Sequence, residues 1–292
     1  MTAARYGAQG MVGALRRVVV RPPDEAMAAA DPGRWHYTGP IDLPAARAAH
    51  GELVALLRGW GVEVLVHDAP LPAHSDSVFV FDPALVTDAG TVVLSMGKAL
   101  RRGEEDALAS FLEGQGVPVA ARIGGEGRVE GGDTLWVDHD ALAVGMGFRT
   151  NSEGVRQLRA AAEPLGVTVV AYDLPYFTGP EACLHLLSLI SPVDVDLAVA
   201  YPPLMPTALW RELSRRGVRL LEVPEAEFIR SQGTNVLAVA PRRCILLEGN
   251  PVTQGLLERE GCEVATIPGA PLSFKAEGGP TCLTRPVLRD RE

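Results

Sequence analysis

Five polar residues that can carry chemistry recur at nearly regular intervals along the chain. They are Asp82, Asp133, His185, Asn235 and Cys282, and successive members lie 51, 52, 50 and 47 residues apart. This spacing predicts equivalent positions on five repeated units, and equivalent positions in a ring of units converge on its axis. Carboxylates, an imidazole and a thiol gathered around one cavity are typical of a functional site.

The cysteine and the histidine of this set are suited to nucleophilic catalysis. Cys282 follows a Gly-Gly-Pro turn at 278–280 and precedes Arg285, so a ligand could approach closely and a nearby cation would favour the thiolate. A thiol that attacks carbon needs a proton donor for the leaving group, which favours His185 as a catalyst over a hydrogen-bonded core histidine. The other cysteines, interpreted as buried and inert, are Cys183, Cys244 and Cys262.

Two acids, Asp82 and Glu130, lie where a carboxylate needs a partner. Asp82 interrupts the apolar segment VFVFDPAL, and no basic residue is close to it in the sequence. Glu130 is separated from Asp133 by two glycines, a pattern that is also typical of a tight turn with solvated acids. An external cation such as a guanidinium would satisfy Asp82 and Glu130 together through charge-assisted hydrogen bonds.

Two arginines could hold the other end of such a ligand. Arg101, in LRRGEE, and Arg149, in FRTN, each lie near the boundary of a predicted element. Either one alone would be interpreted as an ordinary surface arginine. If the ligand is an amino acid, its carboxylate requires a cation, and a guanidinium binds a carboxylate in a bidentate manner.

The elements that position these residues form an internal repeat. An amphipathic segment, a glycine and a β-branched segment recur five times, and two short β-like segments joined by a turn precede each copy. Strand, strand, helix, strand is therefore predicted in each unit, and CLTRPVL near the end completes the unit opened by LRRVVVRP. A doubly wound α/β sheet is less consistent, because that fold has no hairpin in each unit. The repeat glycines are Gly61, Gly116, Gly166, Gly217 and Gly261.

The pattern predicts one closed domain over residues 1–292. Residues 22–45 are rich in Pro, Asp, Gly and Ala, and we interpret them as an excursion from the first unit that could act as a lid.

Composition narrows the class of protein. Of the 292 residues, 47% are hydrophobic and 22% are charged, and the net charge is −9, which disfavours a diffuse nucleic-acid binder. No apolar segment reaches the ~18–20 residues that span a bilayer, and no signal peptide is evident, so we expect a cytoplasmic protein without membrane partners. The four cysteines form no CxxC pair, which argues against a disulfide scaffold and a cysteine zinc site.

The ordered set of motifs resembles a known superfamily. FVFDPALV, LRRGEE, VEGGDTLWV, GFRTNSEG, LHLLSLISPVD and GGPTCLTRP run from about residue 15 to the end. Together they resemble the pentein superfamily of guanidine-modifying enzymes, in its dimethylarginine dimethylaminohydrolase-like branch, which also has amidinotransferase relatives. The resemblance implies a five-bladed ββαβ α/β propeller around a central active site, a small guanidino substrate, and no metal or organic cofactor.

The resemblance also implies a role for each candidate residue. Cys282 would be the nucleophile and His185 the general acid and base, while Glu130 would orient His185 and contact the guanidinium. Asp82 would bind the guanidinium nitrogens and Asp76 the substrate ammonium. The full set of implied substrate-binding residues is Asp76, Asp82, Asp133, Arg101 and Arg149, the two arginines holding the carboxylate.

Two departures from the resembled pattern bear on specificity. Phe81 stands where related hydrolases often have an acid, which could change the N-substituents that the pocket accepts. Leu187 stands where arginine deiminases carry an acid, which argues against a plain deiminase. Hydrolysis of a methylated arginine, amidino transfer, an arginine dihydrolase- or deiminase-type reaction and a ring-shaped binding protein without a reactive thiol all stay open, as does a monomer or a homodimer.

Overall fold

The computed structural model describes residues 5–291. Its strands are β1 (Leu15–Val20), β2 (Glu63–Val66), β3 (Ala84–Thr87), β4 (Gly90–Val93), β5 (Val119–Arg122), β6 (Thr134–Asp138), β7 (Ala141–Met146), β8 (Thr168–Asp173), β9 (Ile190–Asp194), β10 (Leu197–Ala200), β11 (Arg219–Glu222), β12 (Leu237–Ala240), β13 (Arg243–Leu247), β14 (Glu263–Ile267) and β15 (Arg285–Arg289). Its α-helices are α1 (Glu25–Ala28), α2 (Pro32–Trp35), α3 (Leu43–Gly59), α4 (Glu104–Gly114), α5 (Ser152–Ala162), α6 (Thr207–Arg215), α7 (Glu225–Ser231), α8 (Pro251–Arg259) and α9 (Ser273–Ala276).

The described strands form five sheets of the same design. In each sheet an antiparallel hairpin is extended by a parallel third strand, as in the sheet of β6, β7 and β8. The parallel step needs a crossover, and a helix supplies it. In the first sheet the order is β15, β1, β2, so a strand from near the end of the chain pairs with one from near its start. This arrangement confirms the predicted five-unit ring, in which each sheet contacts its neighbours.

One unit shows why the sequence folds in this way. Helix α5 buries Val155, Leu158 and Ala162 on one face, and the side chain of Asn151 accepts a hydrogen bond from an N–H group of its first turn. After the helix, Gly166 adopts a left-handed conformation with φ of 70°, which reverses the chain into β8. The apolar face of α5 packs against the sheet, and this packing fixes the position of the loop between β7 and α5.

Residues 22–45 form the predicted excursion from the first unit. The excursion contains α1 and α2, and its Trp35 and Tyr37 are buried in the same apolar cluster as α3. The N–H group of Thr38 donates to the carbonyl of Lys275, and the Lys275 ammonium donates to the carbonyl of Pro40. The excursion is therefore attached to α9, close to the segment that contains Cys282.

Within residues 5–291, no helix is both long and apolar enough to span a membrane.

Candidate active site

A cavity of about 630 Å³ opens where the first strands of the units begin. Asp82, His185 and Cys282 all line it, and they precede β3, β9 and β15 respectively. The structure therefore brings residues 103 and 97 positions apart in the sequence to one place, as their spacing predicts. Asn235, which precedes β12, lines the same cavity.

The imidazole of His185 is held by a buried carboxylate. Its Nε2 lies 2.7 Å from Oε2 of Glu130, whose side chain is fully buried. Burial would raise the pKa of Glu130, but the hydrogen bond to His185 and the charge of Arg149 hold it well below its usual range. Burial would likewise lower the pKa of His185, but Cys183, Asp82 and Asp133 keep it well above its usual value. A charged imidazole beside a charged carboxylate can serve as a proton donor.

Glu130 has no free face for a substrate. Its Oε1 accepts from the N–H group of Lys98 at 2.9 Å, and Arg149 approaches its Oε2 at 3.3 Å. The carboxylate does not line the cavity, which corrects the prediction that it contacts the guanidinium. Its contacts are those of a residue that orients His185.

The two glycines after Glu130 allow side chains from other units to approach closely. A Cβ atom on Gly132 would stand 2.3 Å from Nδ1 of His185, and one on Gly131 would stand 2.2 Å from the carbonyl oxygen of Phe81. Neither distance is compatible with a side chain. The N–H group of Gly132 also donates to Oδ1 of Asp82 at 2.9 Å. The glycine pair is thus a packing requirement of the site as well as a turn.

Asp82 has an internal counterion that the sequence analysis did not find. Nη1 of Arg101 donates to Oδ2 of Asp82 at 2.6 Å, although 19 residues separate the two in the chain. Burial would lower the pKa of Arg101, but Glu104 and Asp82 raise it well above its ordinary value. The prediction that no basic residue pairs with Asp82 is therefore wrong, because a short helical turn returns Arg101 to it. Two hydrogen bonds leave Asp82 lone pairs free toward the cavity.

Arg101 itself differs from its predicted role as a ligand of a substrate carboxylate. Its Nε and Nη2 donate to Glu104, Nη2 also donates to the carbonyl of Phe79, and Nη1 donates to Asp82. A guanidinium has five N–H donors, so one Nη1 hydrogen remains. Arg101 lines the cavity but acts chiefly as the counterion of Asp82 and Glu104.

Cys282 is held by an amide rather than by a cation. Nδ2 of Asn235 donates to its sulfur at 3.2 Å. Burial, with the nearby charge of Asp82, raises the pKa of the thiol to about 11. The predicted stabilisation by Arg285 is wrong, because that guanidinium lies 3.6 Å from the ring centroid of Phe81 and donates to a carbonyl of β3. The free thiol is therefore protonated at neutral pH.

A second thiol lies in the cavity. Sγ of Cys183 is 3.7 Å from Nδ1 of His185, on the side opposite Glu130. The prediction of a buried Cys183 is wrong, because the loop before β9 leaves this side chain partly exposed in the cavity, whereas its predicted inertness stays a prediction. The sequence signal that could have placed Cys183 in the cavity is its position two residues before His185.

Asp133, predicted to bind substrate, lies beneath the site instead. It is fully buried, accepts hydrogen bonds from the hydroxyl of Thr150 at 2.6 Å and the N–H group of Leu186 at 3.0 Å, and does not line the cavity. Burial raises its pKa to about 6. The bond to Leu186 fixes the backbone immediately after His185, so Asp133 is a positioning residue.

Asp76 and Arg149 line the cavity at its other end. Asp76 accepts hydrogen bonds from Nζ of Lys98 at 2.6 Å and from the hydroxyl of Tyr37 at 2.7 Å. Nη1 of Arg149 lies 3.3 Å from Oε2 and 3.5 Å from Oε1 of Glu130, and both contacts are longer than those of Asp76. Lys98 was not among the predicted site residues, since nothing in its local sequence pairs it with Asp76.

Two acids and the histidine of the site lie close enough together to hold a metal ion. Asp82, Glu130 and His185 place one ligand atom each within 4.8 Å of one another. Arg101 and Arg149 already supply positive charge to the two carboxylates. Since guanidinium groups satisfy these acids, the arrangement is better suited to a guanidinium ligand than to a metal ion.

Comparison with known proteins agrees with this geometry. The family model described as "N,N dimethylarginine dimethylhydrolase, eukaryotic" matches residues 39–266. The chain belongs to this family. An N(G),N(G)-dimethylarginine dimethylaminohydrolase from Streptomyces coelicolor is 31% identical over 231 residues, which cover 79% of this chain and 81% of the relative. The chain is accordingly a guanidine-modifying enzyme that hydrolyses amidine C–N bonds.

Solved structures of this and related families share the fold. A dimethylarginine dimethylaminohydrolase from Pseudomonas aeruginosa, solved with citrulline, superposes with a TM-score of 0.77 at 23% identity, covering 93% of this chain and 99% of that one. SxtG, an amidinotransferase of the saxitoxin pathway from Microseira wollei, superposes with a TM-score of 0.80 at 17% identity, covering 99% and 98%. The five-bladed ββαβ propeller is therefore the pentein fold, as the resemblance implied.

Proposed function

We propose that this dimethylarginine dimethylaminohydrolase family member hydrolyses a substituted guanidine through a covalent thiouronium on Cys282. The substrate that we propose is an Nω-methylated arginine, which would yield citrulline and methylamine or dimethylamine. The observation that carries the proposal is the convergence of Cys282, the His185–Glu130 pair and the half-satisfied Asp82 on one cavity.

The first step forms the carbon–sulfur bond. The guanidinium binds against the free lone pairs of Asp82, and its positive charge stabilises the thiolate of Cys282, whose pKa burial otherwise raises to about 11, so that the thiol releases its proton to solvent as the substrate binds. The thiolate attacks the guanidinium carbon, and His185 donates a proton to the nitrogen that leaves as the C–N bond breaks. The amine departs neutral, and the remaining amidine carbon stays bonded to sulfur as a thiouronium.

The second step returns the enzyme to its starting state. Water attacks the thiouronium carbon and gives a proton to His185, which Glu130 keeps in place. The C–S bond then breaks and the electron pair returns to the sulfur of Cys282, which takes up the second proton of the attacking water, so that a neutral ureido product leaves and the thiol is restored. The same imidazole thus acts first as acid and then as base, and each transfer contributes about 10²–10⁴-fold.

Amidino transfer is the second candidate, since Trp35, His36 and Thr38 of the excursion line the cavity and could exclude water. In that reaction an amine replaces water in the second step. The product separates the two reactions: with an Nω-methylated arginine, a ureido product that forms equally with and without an added amine means hydrolysis. A new substituted guanidine that forms only with the amine would replace the hydrolysis proposal.

A reactive thiol tests the proposal against a ring-shaped binding protein. An alkylating amidine should label Cys282, and arginine analogues should block it. Because Cys183 shares the cavity, the labelled site should be mapped by mass spectrometry in the wild type and in Cys183→Ala. Labelling that persists in Cys282→Ser but disappears in Cys183→Ala would contradict the assignment of the nucleophile.

A further inference from the structure

The acid at the far end of the cavity is already neutralised by the protein. Asp76 is 5% exposed, and its two oxygen atoms accept from the Tyr37 hydroxyl at 2.7 Å and the Lys98 ammonium at 2.6 Å. A buried carboxylate with a short ion pair and a second hydrogen bond gains little from a further cation. An ammonium group on a ligand would therefore compete with Lys98 for Asp76.

The Lys98 ammonium is fixed in place but not saturated. It donates to Asp76 and to the carbonyl of Trp35 at 3.0 Å, and it lies 5.2 Å from the centroid of the Trp35 ring. An ammonium has three N–H donors, so one remains, and Lys98 lines the cavity. Lys98 is one of only two lysines beside 25 arginines, so it gives the cavity a compact positive charge that a guanidinium would not.

The other charged groups that line this part of the cavity are one arginine and two acids. Arg149 lines the cavity, and its side chain contacts Glu130 only at 3.3 Å or more. Two further acids line the cavity here: Glu181, which pairs with Nε2 of His36 at 3.0 Å, and Glu277. Burial raises the pKa of Glu277, against the lowering effect of Lys98. Glu277 and Glu181 are the acids that could accept a ligand ammonium, and Glu277, the more buried of the two, is the one to test.

We infer that Lys98 selects guanidino carboxylates that lack an amino group on the carbon chain. Lys98 takes the position beside Asp76 that a substrate ammonium would need, and with Arg149 it presents donors to the substrate carboxylate. This inference rests on the proposed guanidine chemistry. It changes only the end of the substrate away from the guanidine, which would carry a carboxylate but no amino group.

A matched pair of ligands tests the inference in the wild-type enzyme. Arginine and 5-guanidinopentanoate differ only in the α-amino group, as do Nω,Nω-dimethylarginine and 5-(N′,N′-dimethylguanidino)pentanoate. In whichever pair the enzyme turns over, we expect kcat/KM, measured from the ureido product, to be at least about tenfold higher for the compound without the amino group. Agmatine, which has the guanidine but no carboxylate, should be the poorest substrate.

Lys98→Gln then shows which residue sets the preference. The amide can still donate to Asp76 while the charge is lost, so the preference should fall at least about tenfold and arginine should gain. Lys275→Gln is the matched control, because the Lys275 ammonium donates to the carbonyl of Pro40 and this residue does not line the cavity. Glu277→Gln should leave the preference unchanged. Thermal melting of each variant checks that it is folded.

The outcomes separate this inference from the proposed function. Turnover that is equal within each pair, or faster with the amino acid, overturns the inference and leaves the guanidine hydrolase intact. So does a preference that Lys98→Gln does not change, or one that Glu277→Gln removes. If no guanidine gives product, the proposed function fails. Calorimetric binding of both ligands to Cys282→Ser then still decides the inference, which requires tighter binding of 5-guanidinopentanoate.

Discussion

The two ends of the cavity are built in different ways. At the end that we call the floor, the side chains of Asp82, His185, Asn235 and Cys282 come from corresponding positions of four units, and Glu130 lies buried against His185. At the other end, the wall, Asp76, Lys98 and Arg149 come from loops, and Tyr37 comes from the excursion of the first unit. The floor is fixed by the propeller itself, whereas the wall depends on how irregular segments pack above it.

This difference teaches where function can vary on the fold. A change on the floor disturbs side chains from two or more units at once, because their contacts cross unit boundaries. The side-chain contacts of Tyr37, Asp76 and Lys98 lie among loop residues, and Arg149 alone of the wall side chains reaches the floor, at 3.3 Å from Glu130. We therefore expect changes on the floor to abolish chemistry and changes on the wall to change the substrate.

Cys282→Ser should have the largest effect, at least about 10³-fold in kcat, because an alcohol replaces the thiolate that attacks carbon. Single-turnover assays of ureido product measure it. Cys262→Ser is the control, since that cysteine is buried outside the cavity. A Cys282→Ser enzyme with near wild-type turnover would remove the covalent mechanism.

Gly132→Ala should lower kcat by about 10² or more, because its Cβ would stand 2.3 Å from Nδ1 of His185 and displace the imidazole. Gly124→Ala is the matched control, since a Cβ there meets nothing within 4 Å. Steady-state kinetics and circular dichroism on both variants distinguish a displaced catalyst from misfolding. Equal activity of the two variants would show that the glycine pair does not set the position of His185.

Glu130→Gln should lower kcat by about 10² and change its pH dependence. The carboxylate 2.7 Å from Nε2 stabilises the charged imidazole, so its loss should lower the pKa of His185. Because the first step needs protonated His185, the alkaline limb of kcat should move to lower pH. A limb that stays in place would mean that another group donates the proton.

Tyr37→Phe should have the smallest effect, since it removes one hydrogen bond to Asp76 on the wall. We expect the free energy of unfolding to fall by about 1 kcal/mol in urea titration. The rate at which an amidine reagent labels Cys282 should not change. Slower labelling would show that the wall and the floor are coupled.

Sequence reasoning predicts the floor far better than the wall. Regular spacing located Asp82, His185, Asn235 and Cys282 because equivalent residues of a repeat occupy equivalent places in space. Fine contacts do not follow the repeat, which is why the Asp82–Arg101 pair and the position of Arg285 over Phe81 were missed. Lys98 was missed for the same reason: its partner Asp76 lies 22 residues away, and tertiary packing alone brings the two together.

The pairing of β15 with β1 has a consequence for biosynthesis. Translation proceeds from the N-terminus, so a nascent chain carries β1 with an unpaired edge until Arg285–Arg289 leaves the ribosome. The loop that bears Cys282 is synthesised just before that strand, and it is held by hydrogen bonds to Asn235 and Phe81 of other units. Of the proposed site residues Cys282 is the last to be synthesised, so the proposed chemistry has to wait for the final unit of the ring.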